Sequence, residues 1–312
     1  MSFAFVFPGQ GSQSLKMLDG ILGFPDTKKV FTKAKEVLGI DFLAMLQEET
    51  TDNINQTVNT QPLMLASGYA AYLLWREHKG AKPVVMAGHS LGEWTALVAS
   101  GVIQFRDALK LVKLRALAMQ DAVPVGEGAM AAVLGLDDDT VIRVCSEIEK
   151  SSGEVAAPVN FNSPGQVVIA GNKKAIDLAL IALKDNGAKK VQLLHVSVPA
   201  HCKLMQPASK KLASALASVE FRAPQIKVLH NYDTKSHTNL VLIKEALVKQ
   251  LYSPVLWTET IQKIADMHVS QILECGPGKV LSGLNKRINS NIVSYNLHNK
   301  DDLDKALAEL KK

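Results

Sequence analysis

The stretch "VVMAGHSLGEWTALVASG" (84–101) constrains the fold more than any other part of the chain. A short, β-branched apolar run stops at Gly88, and a helical pattern starts at Leu91. Between them stands Gly88-His89-Ser90-Leu91-Gly92, a G-x-S-x-G sequence on a strand-to-helix turn. Such a turn holds the serine hydroxyl clear of a sheet, while the flanking glycines let neighbouring backbone pass. The Leu91 N–H, at the helix start, is then free to face a developing oxyanion. A strand of this kind, apolar throughout, belongs inside a sheet covered on both faces.

The remaining pattern extends that sheet. A strand is expected near 3–7, helices near 28–38, 61–79, 91–100 and 106–121, and a strand over 82–88. Strand–helix alternation implies parallel pairing. From "VPVGEG" (123–128) the order changes to β-α-β-β-α-β: strand 129–136, helix 138–151, two strands joined by an Asn-Ser-Pro-Gly turn, a helix closed by Gly187, and the strand "KKVQLLHVSV" (189–198). This is the order of a ferredoxin-like unit. Helix 201–218, strands near 226–231, 270–275 and 292–296, and helices near 240–251, 258–266, 278–288 and 301–311 complete the chain. The expected class is α/β: a large α/β-hydrolase-like subdomain with a parallel sheet (1–123 and 197–312) carrying an inserted ferredoxin-like small subdomain (124–196).

Composition narrows the function. At 47% hydrophobic and 21% charged, the 312 residues match an ordinary globular protein. The net charge of +5 is dispersed, which argues against nucleic acid and leaves room for an acidic partner. Cys145, Cys202 and Cys275 are widely separated, with no CxxC pair. Neither a disulfide framework nor a metal site is expected, and the cytoplasm fits best. No apolar run is long enough for a membrane span, and the apolar start is broken at once by "PGQG", unlike a signal peptide.

"FVFPGQGSQ" (5–13) ends a strand in two glycines. It lacks the lysine of a P-loop, and Ser14 stands where a dinucleotide fingerprint needs glycine. Two readings remain: a plain turn, or a turn at the Ser90 sheet edge whose Gln10 N–H completes an oxyanion hole with Leu91. For a base, His201 stands after a strand and a proline where a helix begins; the competing reading is a helix-start histidine. A base there should lose activity in acid near an ordinary imidazole pKa. No Asp or Glu sits on an obvious strand end between Ser90 and His201, so a carbonyl or amide is left to orient the ring. Cys202 reads as a small buried cysteine rather than a nucleophile.

In "RDALKLVKLRALAMQDA", Arg115 lies opposite Lys110, Lys113 and Gln120, among Ala108, Leu111, Val112, Ala118, Met119 and Ala122. A guanidinium on an apolar stripe needs an anion: an internal Asp or Glu, or a substrate carboxylate held by the bidentate fork. Met119 on the same face, and Asn160 and Asn162 on one side of the strand "PVNFNSPG", join it as candidate substrate-binding residues; solvent exposure is the competing reading for the asparagines. "ECGPGKVL" (274–281) reads as a tight turn before a helix, with approach to a phosphate as the alternative.

"FVFPGQGSQ", "GHSLGEW", "GAMAAVLGLD", "VNFNSPGQVVIAG", "VSVPAHC", "QLYSPVLWT" and "GPGKVLSGLNKRI" together resemble the bacterial malonyl-CoA:acyl carrier protein transacylases, over essentially the whole chain. The resemblance implies ping-pong transfer of malonyl from CoA to Ser90 and on to the phosphopantetheine thiol of acyl carrier protein, in fatty-acid biosynthesis. It assigns Ser90 and His201 as the catalytic pair, Gln10 and Leu91 as oxyanion donors, Arg115 as the carboxylate clamp, and Gln250 as the residue whose main-chain carbonyl orients the imidazole. It implies no cofactor, the CoA thioester being a substrate, and a monomer working on malonyl-CoA and an acidic carrier protein. Lys189, Lys190, Lys286 and Arg287 are candidate docking charges. Trp94 stands where the family usually has tyrosine, and VPA replaces VPS before His201. From the residues alone the alternatives are a serine hydrolase of esterase or thioesterase type and a non-catalytic carrier-binding module.

Overall fold

The computed structural model describes residues 2–194, 196 and 198–310. It is a mixed α/β structure with two separate sheets. Its strands are β1 (Phe3–Phe7), β2 (Val85–Gly88), β3 (Gly128–Leu134), β4 (Ala156–Ser163), β5 (Gln166–Asn172), β6 (Lys190–Leu193), β7 (Lys227–Leu229), β8 (Gln271–Glu274) and β9 (Val293–Asn296). The larger sheet has the order β7-β2-β1-β8-β9, and every pairing in it is parallel. The smaller has the order β4-β5-β3-β6, every pairing antiparallel.

β1 runs through the middle of the parallel sheet and is buried along its whole length. Its side chains alternate between two cores. Phe3, Phe5 and Phe7 face the helix Thr57–Glu77, where the Phe5 ring meets those of Tyr72 and Trp75 edge-on at centroid distances of 6.0 and 5.8 Å. Ala4 and Val6 face Trp257, Ile261 and Ile264 on the other side. The smaller sheet carries its own core against the helices Asp138–Ser152 and Lys173–Asp185. It is tied to the larger part at β4: Phe161 N–H donates to Val255 O (3.0 Å) and Val255 N–H to Val159 O (2.8 Å).

Several elements differ from the sequence expectation for local reasons. The helix expected from 61 starts at Thr57 and contains Pro62. Proline cannot donate to the carbonyl four residues back, and Lys113 Nζ takes up that Val58 carbonyl at 3.3 Å. The strand expected over 189–198 ends at Leu193; His195 and Ser197 lie outside the described residues. The helix expected from 201 starts later, as a 3-10 turn Lys203–Met205 followed by Gln206–Ala217, because His201 adopts a left-handed φ of 66° that no helix accommodates. The helices Phe42–Met45 and Asp52–Asn55 are too short to show a period in sequence. Among the described residues no helix is long and apolar enough to cross a membrane.

Candidate active site

Parallel strands deliver their following loops to one edge of a sheet. β1 leads into Gly9-Gln10, β2 into His89-Ser90, and β7 into His230-Asn231, so three segments far apart in sequence meet at that edge. Ser90 sits at φ 51°, ψ −106°, a strained conformation for a residue with a Cβ. The turn is held closed by neighbours. Ser90 N–H donates to Asn231 Oδ1 at 2.7 Å, and Asn231 Nδ2 donates to Gly88 O at 2.7 Å. Glycine at 92 is required because a Cβ would lie 1.9 Å from Phe7 O on the adjacent strand. The helix Leu91–Ala99 that follows is buried throughout.

His201 Nε2 lies 2.7 Å from Ser90 Oγ, and its Nδ1 lies 2.7 Å from the Gln250 carbonyl oxygen. A carbonyl only accepts, so the proton stands on Nδ1 and Nε2 is left to accept from the serine hydroxyl. No carboxylate takes part in this pairing. Burial, reinforced by the Arg115 charge, pushes the imidazole down to about 3, with the Gln250 hydrogen bond working in the opposite direction. The acid fall-off expected near an ordinary imidazole pKa therefore moves to lower pH. Because the folded pKa lies below the unfolded value of about 6.5, the unfolded chain binds the extra proton. The stabilisation from the neutral ring is complete above about pH 6.5 and is lost progressively as pH falls toward the folded pKa. Single-turnover acylation should stay nearly flat below pH 6.5 for as long as near-UV circular dichroism shows the fold intact. An acid limb centred at 6.5 in folded protein would contradict this environment.

The Gly9-Gln10 turn packs directly on the elbow: a Cβ on Gly9 would lie 2.4 Å from His89 O and 3.7 Å from Leu91 N. Gln10 and Leu91 line the same cavity as Ser90, and neither N–H donates to another described residue. Cys202, beside the histidine, is buried; its thiol is pushed up to about 11 by burial and donates to Pro199 O at 3.2 Å.

Arg115 is 1% exposed, and its contacts are amide and hydroxyl oxygens rather than a carboxylate. Nη1 donates to Gln61 Oε1 (2.7 Å), and Nη2 to Gln250 Oε1 (3.0 Å) and Ser90 Oγ (3.4 Å); Nε has no partner. The internal ion pair weighed from sequence is absent among the described residues. Burial lowers the guanidinium to about 10, and the charge of Glu93, beyond Gln250, opposes that shift. The guanidinium remains charged at neutral pH with donors to spare.

The cavity has a volume of about 110 Å³. That is well below the ~300 Å³ lower end typical of sites for drug-sized ligands, so the chamber has room for a small group only. Ser90, His201 and Arg115 meet there, with Asn160 and the apolar chains of Met119, Met130, Leu194 and Val198 as walls. Asn162 does not line the cavity; its Oδ1 accepts from His89 Nε2 at 2.8 Å. Register shifts in β4 between Pro158 and Asn160, and between Phe161 and Ser163, break the strict alternation that put both asparagines on one cleft-facing side. Asn160 Oδ1 is buried without a partner.

Gln61, Glu93 and Asn231, which hold groups of the site, have no expectation behind them in the sequence, and neither have the cavity walls Met130, Leu194 and Val198. Glu93 left a trace, as a carboxylate inside an otherwise uncharged helix. Asn231 and Gln61 lie 141 and 54 residues from the groups they hold, beyond any local pattern.

Comparison with known proteins places this arrangement. The family described as "Acyl transferase domain" matches residues 4–299. The malonyl CoA-acyl carrier protein transacylase of Escherichia coli is 50% identical over 287 residues, 92% of each chain. That of Bacillus subtilis is 38% identical over 309 residues, 99% of this chain and 97% of the relative. Among solved structures, an acyl-carrier-protein S-malonyltransferase from Burkholderia pseudomallei superposes with a TM-score of 0.96 at 50% identity, covering 99% of this chain and 100% of that one. A malonyl-transacylase in complex with its type II PKS acyl-carrier protein superposes with a TM-score of 0.97 at 47% identity, with coverage of 99% and 100%. The match spans nearly the whole sequence and the whole fold, and the chain belongs to the acyl transferase family.

Proposed function

We propose that the protein is a malonyl-CoA:acyl carrier protein transacylase of fatty-acid synthesis that works through a malonyl-Ser90 intermediate. The observation that carries the reading is a charged, buried guanidinium 3.4 Å from the hydroxyl of a histidine-paired serine. A malonyl thioester offers a carbonyl for the serine and, two carbons on, a carboxylate for the arginine. His201 Nε2 takes the Ser90 proton as Oγ attacks the thioester carbonyl, and the Gln10 and Leu91 N–H groups receive the oxyanion. Collapse expels the CoA thiolate, which takes the proton from the imidazolium. The pantetheine thiol of the carrier protein then enters, gives its proton to His201 and repeats the sequence in reverse. Gln250 O steadies the ring through both halves. His201→Ala should slow acylation by about a hundredfold or more with the fold unchanged, measured by stopped-flow release of CoA. A near-normal rate would move the base elsewhere.

The strand orders support treating 1–123 with 197–312 as an α/β-hydrolase-like subdomain and 124–196 as a ferredoxin-like one, with the cavity between them. Three free, buried cysteines support a reducing compartment such as the cytoplasm. Lys189, Lys190, Lys286 and Arg287 are exposed, and Lys189 and Arg287 border one depression at the junction of the two parts. We assign this edge to the acidic carrier protein. Reversing these charges should raise KM for carrier protein a few-fold at low salt and leave acylation by malonyl-CoA unchanged. Equal KM values would place docking elsewhere.

The function itself is tested by the fate of malonyl. With malonyl-CoA alone, CoA release should stop after about one equivalent per enzyme, and carrier protein should restart it as malonyl-carrier protein. Continuous release of free malonate would make the protein a hydrolase, and no CoA release at all would make it a binding module.

A further inference from the structure

The helix Leu91–Ala99 carries one charge, Glu93, which is fully buried. Among the described residues no lysine or arginine touches it. Its oxygens accept from His230 Nδ1 (2.7 Å), Asn231 N–H (2.9 Å) and Gln250 Nε2 (2.9 Å). Gln250 Nε2 also reaches Ser90 O (2.9 Å) and Asn231 Oδ1 (3.2 Å). With three acceptors around its NH₂, the Gln250 amide has a single orientation, and Oε1 is presented to Arg115 Nη2. A buried carboxylate and a buried guanidinium that do not touch each other are thus joined through one amide.

We infer that Glu93 is a positioning residue for acyl-group selection: through Gln250 it holds the Arg115 guanidinium in the cavity-facing pose that separates carboxylated from neutral acyl groups. The inference rests on the reading of Arg115 as the carboxylate clamp. It goes further by placing the origin of selectivity one residue behind the guanidinium. The electrostatics run the same way, since Glu93 is the group that opposes the desolvation of Arg115. Two further titratable groups bear on this pair: His201, whose proton affinity Arg115 lowers, and His230, which is in contact with Glu93.

Glu93→Gln removes the charge at constant size. Its oxygen keeps Asn231 N–H and Gln250 Nε2 while its NH₂ donates to His230 Nδ1 in the other tautomer, so the hydrogen-bond pattern survives and the charge behind Gln250 is what is lost. A neutral acceptor holds the Gln250 NH₂ less firmly than a carboxylate, so Oε1 is held less firmly against Arg115 Nη2 and the guanidinium loses its fixed pose. The catalytic pair keeps its main-chain support from Gln250 O.

The test compares malonyl-CoA and acetyl-CoA as donors to the same carrier protein, with melting curves for each variant. For Glu93→Gln, kcat/KM for malonyl should fall about tenfold or more, chiefly through KM, while acetyl stays within about twofold. The alkaline limb of the malonyl profile should also move to lower pH, because Arg115 has lost its opposing charge. Equal losses for both donors with an unchanged alkaline limb would make Glu93 merely structural and overturn the inference. A wild-type enzyme without preference for malonyl would instead overturn the clamp reading of Arg115. If Glu93→Gln does not fold, Glu93→Asp keeps the charge and withdraws an oxygen from Gln250. The malonyl-to-acetyl ratio must then fall, and an unchanged ratio overturns the inference.

Discussion

Ser90→Ala should lower malonyl transfer by about ten-thousandfold or more, the scale seen when a covalent nucleophile that acts as a unit with its base is removed. The loss should appear in kcat rather than in the affinity for malonyl-CoA, because Arg115 and the cavity walls remain. The melting temperature should hold or rise slightly. Alanine keeps the Cβ at φ 51°, so the backbone strain persists. The Asn231 Oδ1 contact goes to the Ser90 N–H, which alanine retains. Stopped-flow release of CoA, read beside a melting curve, checks both parts. Appreciable residual transfer from a folded variant would show that the acyl group passes directly between thiols in the cavity.

Arg115→Ala should cut kcat/KM for malonyl by about 3–5 kcal/mol, the cost of removing one member of a buried charge pair. Acetyl transfer should change little or improve. With malonyl bound, the guanidinium exchanges a desolvated, under-bonded state for two charge-assisted hydrogen bonds; with acetyl bound it stays under-bonded. Lysine should restore only part of the loss, because an ammonium lacks the planar fork. His201 responds as well. Arg115 is the second-largest cause of its lowered pKa, so the acid limb of acetyl transfer by the alanine variant should move to higher pH. The competing outcome is a parallel fall of both donors with a lower melting temperature, which would reduce Arg115 to a structural cation.

Ser90 and Arg115 could be read from the sequence because each breaks a local rule visible within a few residues. Ser90 sits in a glycine-bounded turn between a strand and a helix, and Arg115 interrupts an apolar helix face. His201 was weaker: the strand expected before it extends only to Leu193, and its left-handed backbone has no sequence signal. Gln250 came from the family resemblance alone, since a main-chain carbonyl carries no residue preference. Asn231 was invisible because it acts on Ser90 N–H across 141 residues, a contact created by the β2–β7 pairing. Asn162 was misplaced because strict strand alternation does not anticipate the shifts within β4. The parallel sheet was legible for the opposite reason: strand–helix alternation and an apolar run ending at Gly88 are local patterns, and the strands they mark, β1 and β2, are buried along their length.

In the proposed reaction the acyl group rests on Ser90 between donor and acceptor. Intact-mass and peptide-mapping spectrometry after brief exposure to malonyl-CoA tests it most directly. One added malonyl group is expected, confined to the peptide containing Ser90 and discharged quantitatively when carrier protein bearing its pantetheine thiol is added. A malonyl group on any other residue, or full transfer to carrier protein with no adduct at any time, would contradict it.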